Sequence, residues 1–439
     1  MTNFLTYGIM CNKIAPLLTL TKVKNKMKKI IKLMAFAGAF MASFHAEAGG
    51  YQLNDYSVTG LGRSYAGQGI VGDDYSAIAY NPAGMTLMKQ SGVQQNFSFI
   101  NLKADIDGLD RYAGKHGKMD FWQPIPSGFA QYNVNDRLKL GLGIYAPFGL
   151  KTQYKANWFA SDAAILSKLD IVDFNASTAY KMTDKWSVGV SLIARYIYGR
   201  MTQTAQLPVQ TQAGLVNIPG DINFNVHGWS KTAAFGVMYE PTKDTRFGLS
   251  YRLRSAQRAK GHMKVSTPFG GKMGNVWANP DLPETFTFSA YHRYKKLGFS
   301  GTARWTHWTS SFPNFTVRND VFPAPKNEAK TYYRYQNTWT LTGGVDYYYC
   351  KNLTFRFGGG WDESPTHKAE RRTIRIPDND RFWMSVGASY MKKNWQVDVG
   401  YAHMIARSGK ALNKDTNDIP VKYKNMQSHI LGVQLQYKF

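Results

Sequence analysis

After residue 90 the chain repeatedly alternates between apolar residues and polar or small ones. The last segment shows the pattern best, with Leu431, Val433, Leu435, Tyr437 and Phe439 at alternate positions. Successive side chains of a β-strand point to opposite faces of the sheet. Each such segment is therefore predicted to be a strand with one apolar face, which points inward in a water-soluble protein and outward in a membrane barrel.

The spacing of these segments favours the membrane barrel. About fourteen candidate strands begin near Gly92, Pro124, Arg137, Asp170, Trp186, Gly228, Thr245, Thr285, Leu297, Thr338, Asn352, Arg381, Asn394 and Ser428. Short turns are predicted at Asn133–Asp136, Lys181–Lys185, Glu240–Asp244, Lys295–Lys296, Tyr349–Lys351 and Met391–Lys393. Long loops are predicted at about 101–123, 147–169, 199–227, 255–284, 308–337, 362–380 and 405–427. Short turns on one side and long loops on the other are typical of outer-membrane barrels, so the predicted fold is all-β: a 14-stranded antiparallel transmembrane β-barrel.

The N-terminal region has the features of an export signal. Lysines are frequent between Lys22 and Lys32, an apolar stretch runs from Leu33 to Phe44, and Ala46-Glu47-Ala48 follows. This order is typical of a secretory signal peptide, and the apolar stretch is too short to span a bilayer. We therefore expect residues 1–48 to be a leader with its true start at Met27; the alternative is an N-terminal membrane anchor.

Composition and charge agree with an exported barrel. Aromatic residues make up 14% of the chain although mean hydropathy is −0.38, as expected when only alternate residues of each strand are apolar. The net charge is +25, but an exported protein is not expected to meet nucleic acid. Lipopolysaccharide phosphates or a substrate carboxylate are better partners, and a solvated surface without a dedicated ligand is the alternative. Cys350 is the only cysteine outside the leader, so no intramolecular disulfide is expected.

Residues 49–90 do not follow the strand pattern. The segment is rich in Gly, Ser and Asp and precedes the first strand. A barrel of this size has a wide lumen, which is often plugged. We therefore predict an N-terminal hatch over 49–90 inside a barrel formed by 91–439; an exposed periplasmic tail is the alternative.

Several motifs resemble one known family. They are Gly50-Tyr51-Gln52-Leu53-Asn54-Asp55-Tyr56-Ser57, Gly60-Leu61-Gly62-Arg63-Ser64-Tyr65-Ala66-Gly67, Asp73-Asp74, Asn81-Pro82-Ala83, Pro147-Phe148-Gly149-Leu150-Lys151-Thr152, Asp362-Glu363-Ser364-Pro365, Ile376-Pro377-Asp378-Asn379-Asp380-Arg381-Phe382-Trp383 and the terminal Phe439. From about Gly49 to its C-terminus the chain resembles the FadL-type long-chain fatty-acid transporters of the Gram-negative outer membrane. That family also includes channels for toluene and other aromatic hydrocarbons.

The resemblance implies a fourteen-stranded barrel with a hatch in its lumen. It also implies passive uptake: capture among the extracellular loops, binding in the lumen, movement of the hatch and lateral exit through the barrel wall. The cargo stays open between fatty acids and aromatic hydrocarbons. The excess of Arg and Lys favours an acid, because a hydrocarbon needs no counter-charge.

A fatty acid needs an apolar pocket for its chain and a cation for its carboxylate. The apolar candidates in the predicted loops are Phe148, Leu150, Trp158, Phe159, Phe312 and Phe315. Arg200 and Lys330 resemble, by rough placement, the family's basic head-group contacts. Strand alternation places Arg195 inward more readily than Arg200. Packing between loops, or solvated and lipopolysaccharide-facing charges, are the alternatives.

Two further features bear on gating. Asn81-Pro82-Ala83 matches the family's hatch motif and suggests a contact between hatch and wall, although Asn-Pro also occurs in ordinary turns. Gly141 and Gly143 lie within a predicted strand, where glycine can mark a bulge or a close approach. We predict an irregular barrel wall there.

Rival function classes find less support. No nucleophile motif flanks the scattered histidines and no metal-ligand spacing occurs, so neither an enzyme nor a bound metal or cofactor is expected. The hatch argues against a general porin with an open pore, and a structural or adhesive barrel is a third alternative. We further expect a monomer, surrounded by outer-membrane lipid, whose C-terminal Phe439 is read by the barrel assembly machinery.

Overall fold

The computed structural model describes residues 51–211, 214–311, 315–412 and 419–439. Its strands are β1 (Gly92–Gly108), β2 (His116–Asn133), β3 (Leu138–Gln153), β4 (Leu166–Lys181), β5 (Trp186–Thr211), β6 (Gly214–Tyr239), β7 (Thr245–Arg252), β8 (Ala259–Thr267), β9 (Gly270–Ala278), β10 (Glu284–Tyr294), β11 (Leu297–His307), β12 (Phe315–Asn319), β13 (Glu328–Thr331), β14 (Thr338–Cys350), β15 (Leu353–Asp362), β16 (Arg381–Lys392), β17 (Trp395–Ala406), β18 (Gly409–Ala411) and β19 (Val421–Lys438). The helices are α1 (Val58–Leu61), α2 (Ala77–Tyr80) and 3-10 turns at Pro82–Leu87, Asp110–Tyr112, Trp308–Ser310 and Ala369–Arg371. Within these ranges no helix has the length and apolarity needed to cross a bilayer.

Fourteen of these strands form a closed antiparallel ring, which confirms the predicted fold class. The ring runs through β1–β7, β10, β11, β14–β17 and β19, and β19 pairs back onto β1 from Gly92↔Lys438 to Gly108↔Val421. The remaining strands β8, β9, β12, β13 and β18 extend the sheet beyond the ring at its long-loop end. Because the ring is closed, its strands have no unpaired edge, except where part of β2 is not paired with β3.

The two faces of the ring have opposite character, as the alternation predicted. Apolar side chains that point outward are exposed, as for Leu192 (67% exposed). Polar side chains that point inward are buried, as for Gln434. Trp186 stacks on Tyr239 near the short turns, and Tyr196 packs on Trp229 toward the long loops. Trp186 and Tyr196 lie roughly 25 Å apart along the barrel axis, the height of an outer-membrane apolar band between its aromatic girdles.

The predicted loops are shorter than the sequence pattern indicated. The loop predicted at 101–123 shrinks to 109–115, because β1 and β2 continue to Gly108 and from His116. Most of 199–227 is strand as well, and the loops at 255–284 and 308–337 contain the hairpins β8–β9 and β12–β13. Beyond the apolar band the outward side chains become polar, as at Thr202 and Asn225, so the outward apolar face ends while the backbone pairing continues.

Residues 51–91, here called the lumenal segment, lie inside the ring. They meet opposite sides of it: Val58 packs beside Gly432 of β19, and Pro82 beside Gly189 of β5. The approach is close enough to require glycine. A Cβ on Gly387 of β16 would lie 2.7 Å from the Cα of Gly62, and one on Gly189 would lie 2.5 Å from the carbonyl carbon of Pro82. Glycines of the wall therefore allow the segment to fill the lumen at this level.

Candidate functional site

An apolar cluster occupies the lumen on the long-loop side of the lumenal segment. Tyr51 packs against Phe148 and Trp308, with ring centroids 5.7 and 5.2 Å apart. The cluster also includes Leu150 from β3 and Ile376 from the loop between β15 and β16. The predicted ligand contacts Phe148 and Leu150 thus lie together, both buried.

A cavity of about 50 Å³ lies at the edge of this cluster. Its lining is mainly apolar and includes Tyr51, Leu150, Ile197, Tyr333 and Ile376. Each methylene of a hydrocarbon chain that is removed from water against this lining contributes about 0.8 kcal/mol.

Two cations border the cavity, and their environments differ. Lys168 Nζ lies 3.1 Å from the Asp170 carboxylate, so its charge is compensated. Arg200, on the neighbouring strand, pairs with Lys168 of β4 and with Asn225 of β6, and Asn225 pairs with His262 of β8. Paired residues share a face of the sheet, and Arg200 is an even number of positions from the outward Leu192. Both cations therefore lie on the outer face of the wall, and neither points into the lumen.

The other two predicted cations lie elsewhere. Arg195 faces inward, as alternation predicted, but its guanidinium is buried and bonded to both oxygens of Asp173 at 2.6 and 2.9 Å. Arg252 bonds the same Asp173 carboxylate at 2.8 Å, which leaves Asp173 shared between two arginines. Lys330 is exposed on β13, with its ammonium 5.2 Å from the Tyr332 ring centroid. Neither Arg195 nor Lys330 lines the cavity.

Trp158 and Phe159 belong to a second apolar cluster. Trp158 stacks on Tyr154 with ring centroids 3.9 Å apart, and Phe159 packs against Trp158. This cluster joins the loop between β3 and β4 to Ile106 of β1 and Tyr423 of β19. It packs loops together, away from the cavity. Phe312 lies outside the described residues, whereas Phe315 lines the cavity.

The loop between β15 and β16 connects the two clusters. Ile374 packs into the second cluster and Ile376 into the first. Asp378 holds the loop through Ser364 Oγ at 2.7 Å and Arg381 Nη2 at 2.5 Å. Burial raises the pKa of the Asp378 carboxyl, and Arg381 and the Ser364 hydrogen bond oppose that rise. The Ile-Pro-Asp motif thus fixes one wall of the cavity.

The barrel wall opens between β2 and β3. Strand β2 pairs with β1 along its whole length, from Gly92↔Gln131 to Asp107↔His116. With β3 it pairs only from Gly128↔Ile144 to Asn133↔Lys139. Beyond Ile144 strand β3 stays paired with β4 and carries a bulge between Tyr145 and Phe148. The upper halves of β2 and β3 therefore part and leave a gap in the wall.

Two prolines explain how the β2 edge tolerates the gap. Pro124 and Pro126 lie in the part of β2 that has no β3 partner. The ladder to β1 runs unbroken past both residues, so their missing N–H groups must face β3. Proline is tolerated in strands where the N–H would face an unpaired edge, and here it removes donors that lipid could not satisfy.

The start of the lumenal segment pairs with β3 beside this gap. Leu53 N–H donates to the Pro147 carbonyl, and Gly149 N–H donates to the Tyr51 carbonyl, both at 2.9 Å. Gln52 forms an antiparallel bridge with Phe148. Since Tyr51 also lines the cavity, this short stretch separates the cavity from the gap.

The predicted gating motifs take different places. Asn81 donates through Nδ2 to the carbonyls of Val237 and Leu249, at 3.3 and 3.2 Å, and Ala83 is buried behind it. This is a contact with the wall at β6 and β7, not at the gap. Pro82 begins the 3-10 turn that packs on Gly189.

Gly141 and Gly143 lie in the paired part of β3, opposite Gln131 and Phe129. A Cβ on Gly141 would lie 2.7 Å from Met85 Cε, and one on Gly143 would lie 3.1 Å from Ile78 Cγ2. The two glycines make room for the lumenal segment, and the irregular wall begins just after them, at Ile144.

A buried network of charges holds the opposite side of the lumenal segment. Arg63 bonds both oxygens of Asp73, at 2.7 and 2.8 Å, and reaches Asp346 of β14 at 3.2 Å. Arg356 of β15 lies 3.1 Å from both Asp346 and Asp73. Two arginines and two aspartates thus join the segment to the wall.

Sequence reasoning missed Tyr51, the two prolines and this charge network. The prolines left a readable signal, because Gln123-Pro124-Ile125-Pro126 interrupts an otherwise continuous strand pattern. The Arg–Asp partners are far apart in sequence, so no local pattern could pair them.

Comparison with known proteins agrees with this architecture. The family described as "Outer membrane protein transport protein (OMPP1/FadL/TodX)" matches residues 39–439. The chain is 27% identical over 429 residues to the long-chain fatty acid transport protein of Salmonella typhi, covering 90% of this chain and 96% of that one. A Pseudomonas aeruginosa FadL homologue of known structure superposes with a TM-score of 0.79 at 22% identity, covering 89% and 100% of the two chains. The Ralstonia pickettii toluene transporter TbuX superposes with a TM-score of 0.62 at 20% identity, covering 83% and 94%. The chain belongs to the FadL/TodX family of outer-membrane transport proteins.

Proposed function

We propose that this protein takes up long-chain fatty acids by diffusion across the outer membrane. The observation that carries the proposal is an apolar groove among the hairpins at the long-loop end, with Lys272 and Lys326 among its lining residues. A hydrocarbon cargo would need the apolar lining alone, whereas a fatty acid needs a cation as well. The name of the Salmonella typhi relative, a long-chain fatty acid transport protein, supports the same cargo.

In the proposed path the cargo is first captured among the extracellular hairpins. A groove there is lined by Leu207, Val265, Val321 and Phe322, with Lys272 and Lys326 among its lining residues. Apolar side chains and lysines together suit a molecule with a greasy chain and an acidic head.

The cargo then moves into the cavity, where its chain packs against Leu150 and Ile376. Exit requires the short stretch Tyr51–Leu53 to leave β3, because this stretch lies between the cavity and the gap. Release breaks two backbone hydrogen bonds, each contributing about 0.5–1.5 kcal/mol. The cargo leaves sideways between β2 and β3 into the lipid, and no bond of the cargo is made or broken.

Binding of labelled oleate and labelled toluene to the purified protein tests the cargo. In Lys272→Ala/Lys326→Ala we expect oleate to bind about tenfold more weakly, because a hydrogen bond to a charged group contributes about 1.5–3 kcal/mol. Toluene binding should not change. The matched control is Lys185→Ala/Lys243→Ala, which removes two exposed lysines from the short turns. Unchanged oleate binding in Lys272→Ala/Lys326→Ala, or toluene bound more tightly than oleate by the wild type, would contradict the proposal.

A further inference from the structure

Strand β8 carries a column of basic side chains on its outer face. Lys260, His262 and Lys264 occupy alternate positions and are all exposed. Between them Met263 and Val265 point inward and are buried in the lumenal apolar cluster. The alternation fixes the direction of the basic column, because a strand that buries one face must present the other.

The column begins just above the apolar band. Lys260 pairs with His227 of β6, and Trp229 lies two residues further down the same face of that strand. Trp229 packs against Phe174 and Tyr196, with ring centroids 5.6 and 5.1 Å apart. Aromatic girdles mark the boundary between hydrocarbon and head groups. The basic column therefore starts roughly 7 Å beyond this boundary.

The charges of the column are uncompensated within the part of the chain that the structure describes. Neither lysine has an ion pair or a side-chain hydrogen bond there. Two acids lie beside the column: Asp221, exposed near its far end, and Asp320, next to the Asn275 that pairs with His262. Asp320 accepts hydrogen bonds from the backbone and side chain of Asn275, at 2.6 and 2.9 Å. The face is thus positive overall.

We propose that this face binds the phosphate groups of lipopolysaccharide in the outer leaflet. The positive charge of this face favours an anionic ligand. Because the face lies next to the aromatic girdle, that ligand is expected to be an anion of the membrane surface. The neighbouring strand β9 adds exposed apolar groups, Met273 opposite Lys264 and Trp277 opposite Lys260. A phosphorylated glycolipid offers both an anionic and an apolar part to such a surface.

The test is binding of fluorescent lipopolysaccharide to the purified full-length protein in detergent micelles. The variant is Lys260→Gln/Lys264→Gln, and the matched control is Lys185→Gln/Lys243→Gln, which removes two exposed lysines from the opposite end of the barrel. We expect about tenfold weaker binding in the variant, from two exposed charge contacts, and wild-type binding in the control. Chemically dephosphorylated lipopolysaccharide should bind wild type as weakly as the intact lipid binds the variant.

Equal binding by wild type and variant would overturn the proposal, as would an equal loss in the control pair. Equal affinity of the wild-type protein for intact and for dephosphorylated lipopolysaccharide would overturn the role of phosphate. Displacement of the lipid by millimolar inorganic phosphate would overturn the assignment to a lipid and leave a site for free phosphate. Oleate binding, which tests the transport proposal, should stay at its wild-type value in Lys260→Gln/Lys264→Gln.

Discussion

The lumenal segment is held in two different ways on opposite sides of the barrel. At β14 and β15 the contact is ionic and buried, through Arg63, Asp73, Asp346 and Arg356. At β3 it consists of backbone hydrogen bonds between Tyr51–Leu53 and the bulged strand. The first contact lies in a continuous wall, whereas the second lies beside the gap between β2 and β3.

The difference indicates which end of the segment can move. Removing one member of a buried ion pair leaves an uncompensated charge and costs about 3–5 kcal/mol. A backbone hydrogen bond contributes only about 0.5–1.5 kcal/mol. Thermal motion can release the β3 contact while the β14–β15 contact stays formed. We therefore expect gating by the first residues of the segment, with its body fixed in the lumen.

The largest effect is expected when the ionic contact is broken. Asp346→Ala leaves Arg63 and Arg356 short of a buried counter-ion, and the free energy of unfolding should fall by about 3–5 kcal/mol. Guanidinium unfolding in lipid vesicles measures it. Asp244→Ala, at an exposed turn, is the control and should stay within about 0.5 kcal/mol of wild type. If Asp346→Ala lowers the free energy of unfolding by less than about 1 kcal/mol, the ionic contact at β14 and β15 is not stronger than the backbone contact at β3.

The next effect is expected at the gap itself. Pro124→Val/Pro126→Val restores two N–H donors on the edge of β2, which favours pairing with β3 and closes the gap. Two hydrogen bonds of about 0.5–1.5 kcal/mol each should slow oleate uptake by roughly tenfold while oleate binding is kept.

Uptake by cells that express the variant measures this effect, and Pro268→Val in the β8–β9 turn is the control. Wild-type uptake by the double variant would show that cargo does not leave between β2 and β3.

The smallest effect is expected where the segment packs against the paired part of β3. A Cβ at Gly141 would meet Met85 Cε and Ile78 Cγ1 at 2.7 and 2.8 Å. Both belong to flexible side chains, so Gly141→Ala should destabilise the packing by only about 1 kcal/mol and lower uptake while the barrel still assembles.

Gly343→Ala is the matched control, because a Cβ there meets nothing within 4 Å. Thermal unfolding and uptake measured on both variants give the comparison. Equal thermal stability and equal uptake in the two variants would mean that the lumenal segment accommodates a Cβ at Gly141 without loss of stability.

Much of the fold could be predicted from sequence because a membrane barrel repeats one local rule. Alternation along β19 and the short turn between Tyr294 and Leu297 are both local, and both predictions are confirmed. The strand ends were predicted less well. Beyond the apolar band, pairing between β5 and β6 continues to Thr211↔Gly214 without an outward apolar face to mark it, and its inward residues such as Leu207 join the lumenal cluster.

The candidate site was predicted only in part, for a related reason. Phe148 and Leu150 were expected in the site and lie together in the lumenal cluster, whereas Arg200 lies on the outer face of β5. Trp158, of the same chemical character, packs in another cluster. Residue type alone does not distinguish an aromatic that lines a cavity from one that joins two loops.

What the sequence determined by itself is the membrane barrel: alternating strands, even strand number and aromatic girdles follow from the period of two and from the need to satisfy every backbone group in lipid. What only the tertiary structure decided is where the wall opens and what closes it. The gap depends on β2 leaving β3, and its closure depends on residues nearly one hundred positions away in the chain, Tyr51–Leu53 against Pro147–Gly149. Contacts between such distant positions arise only when the ring closes around the lumenal segment.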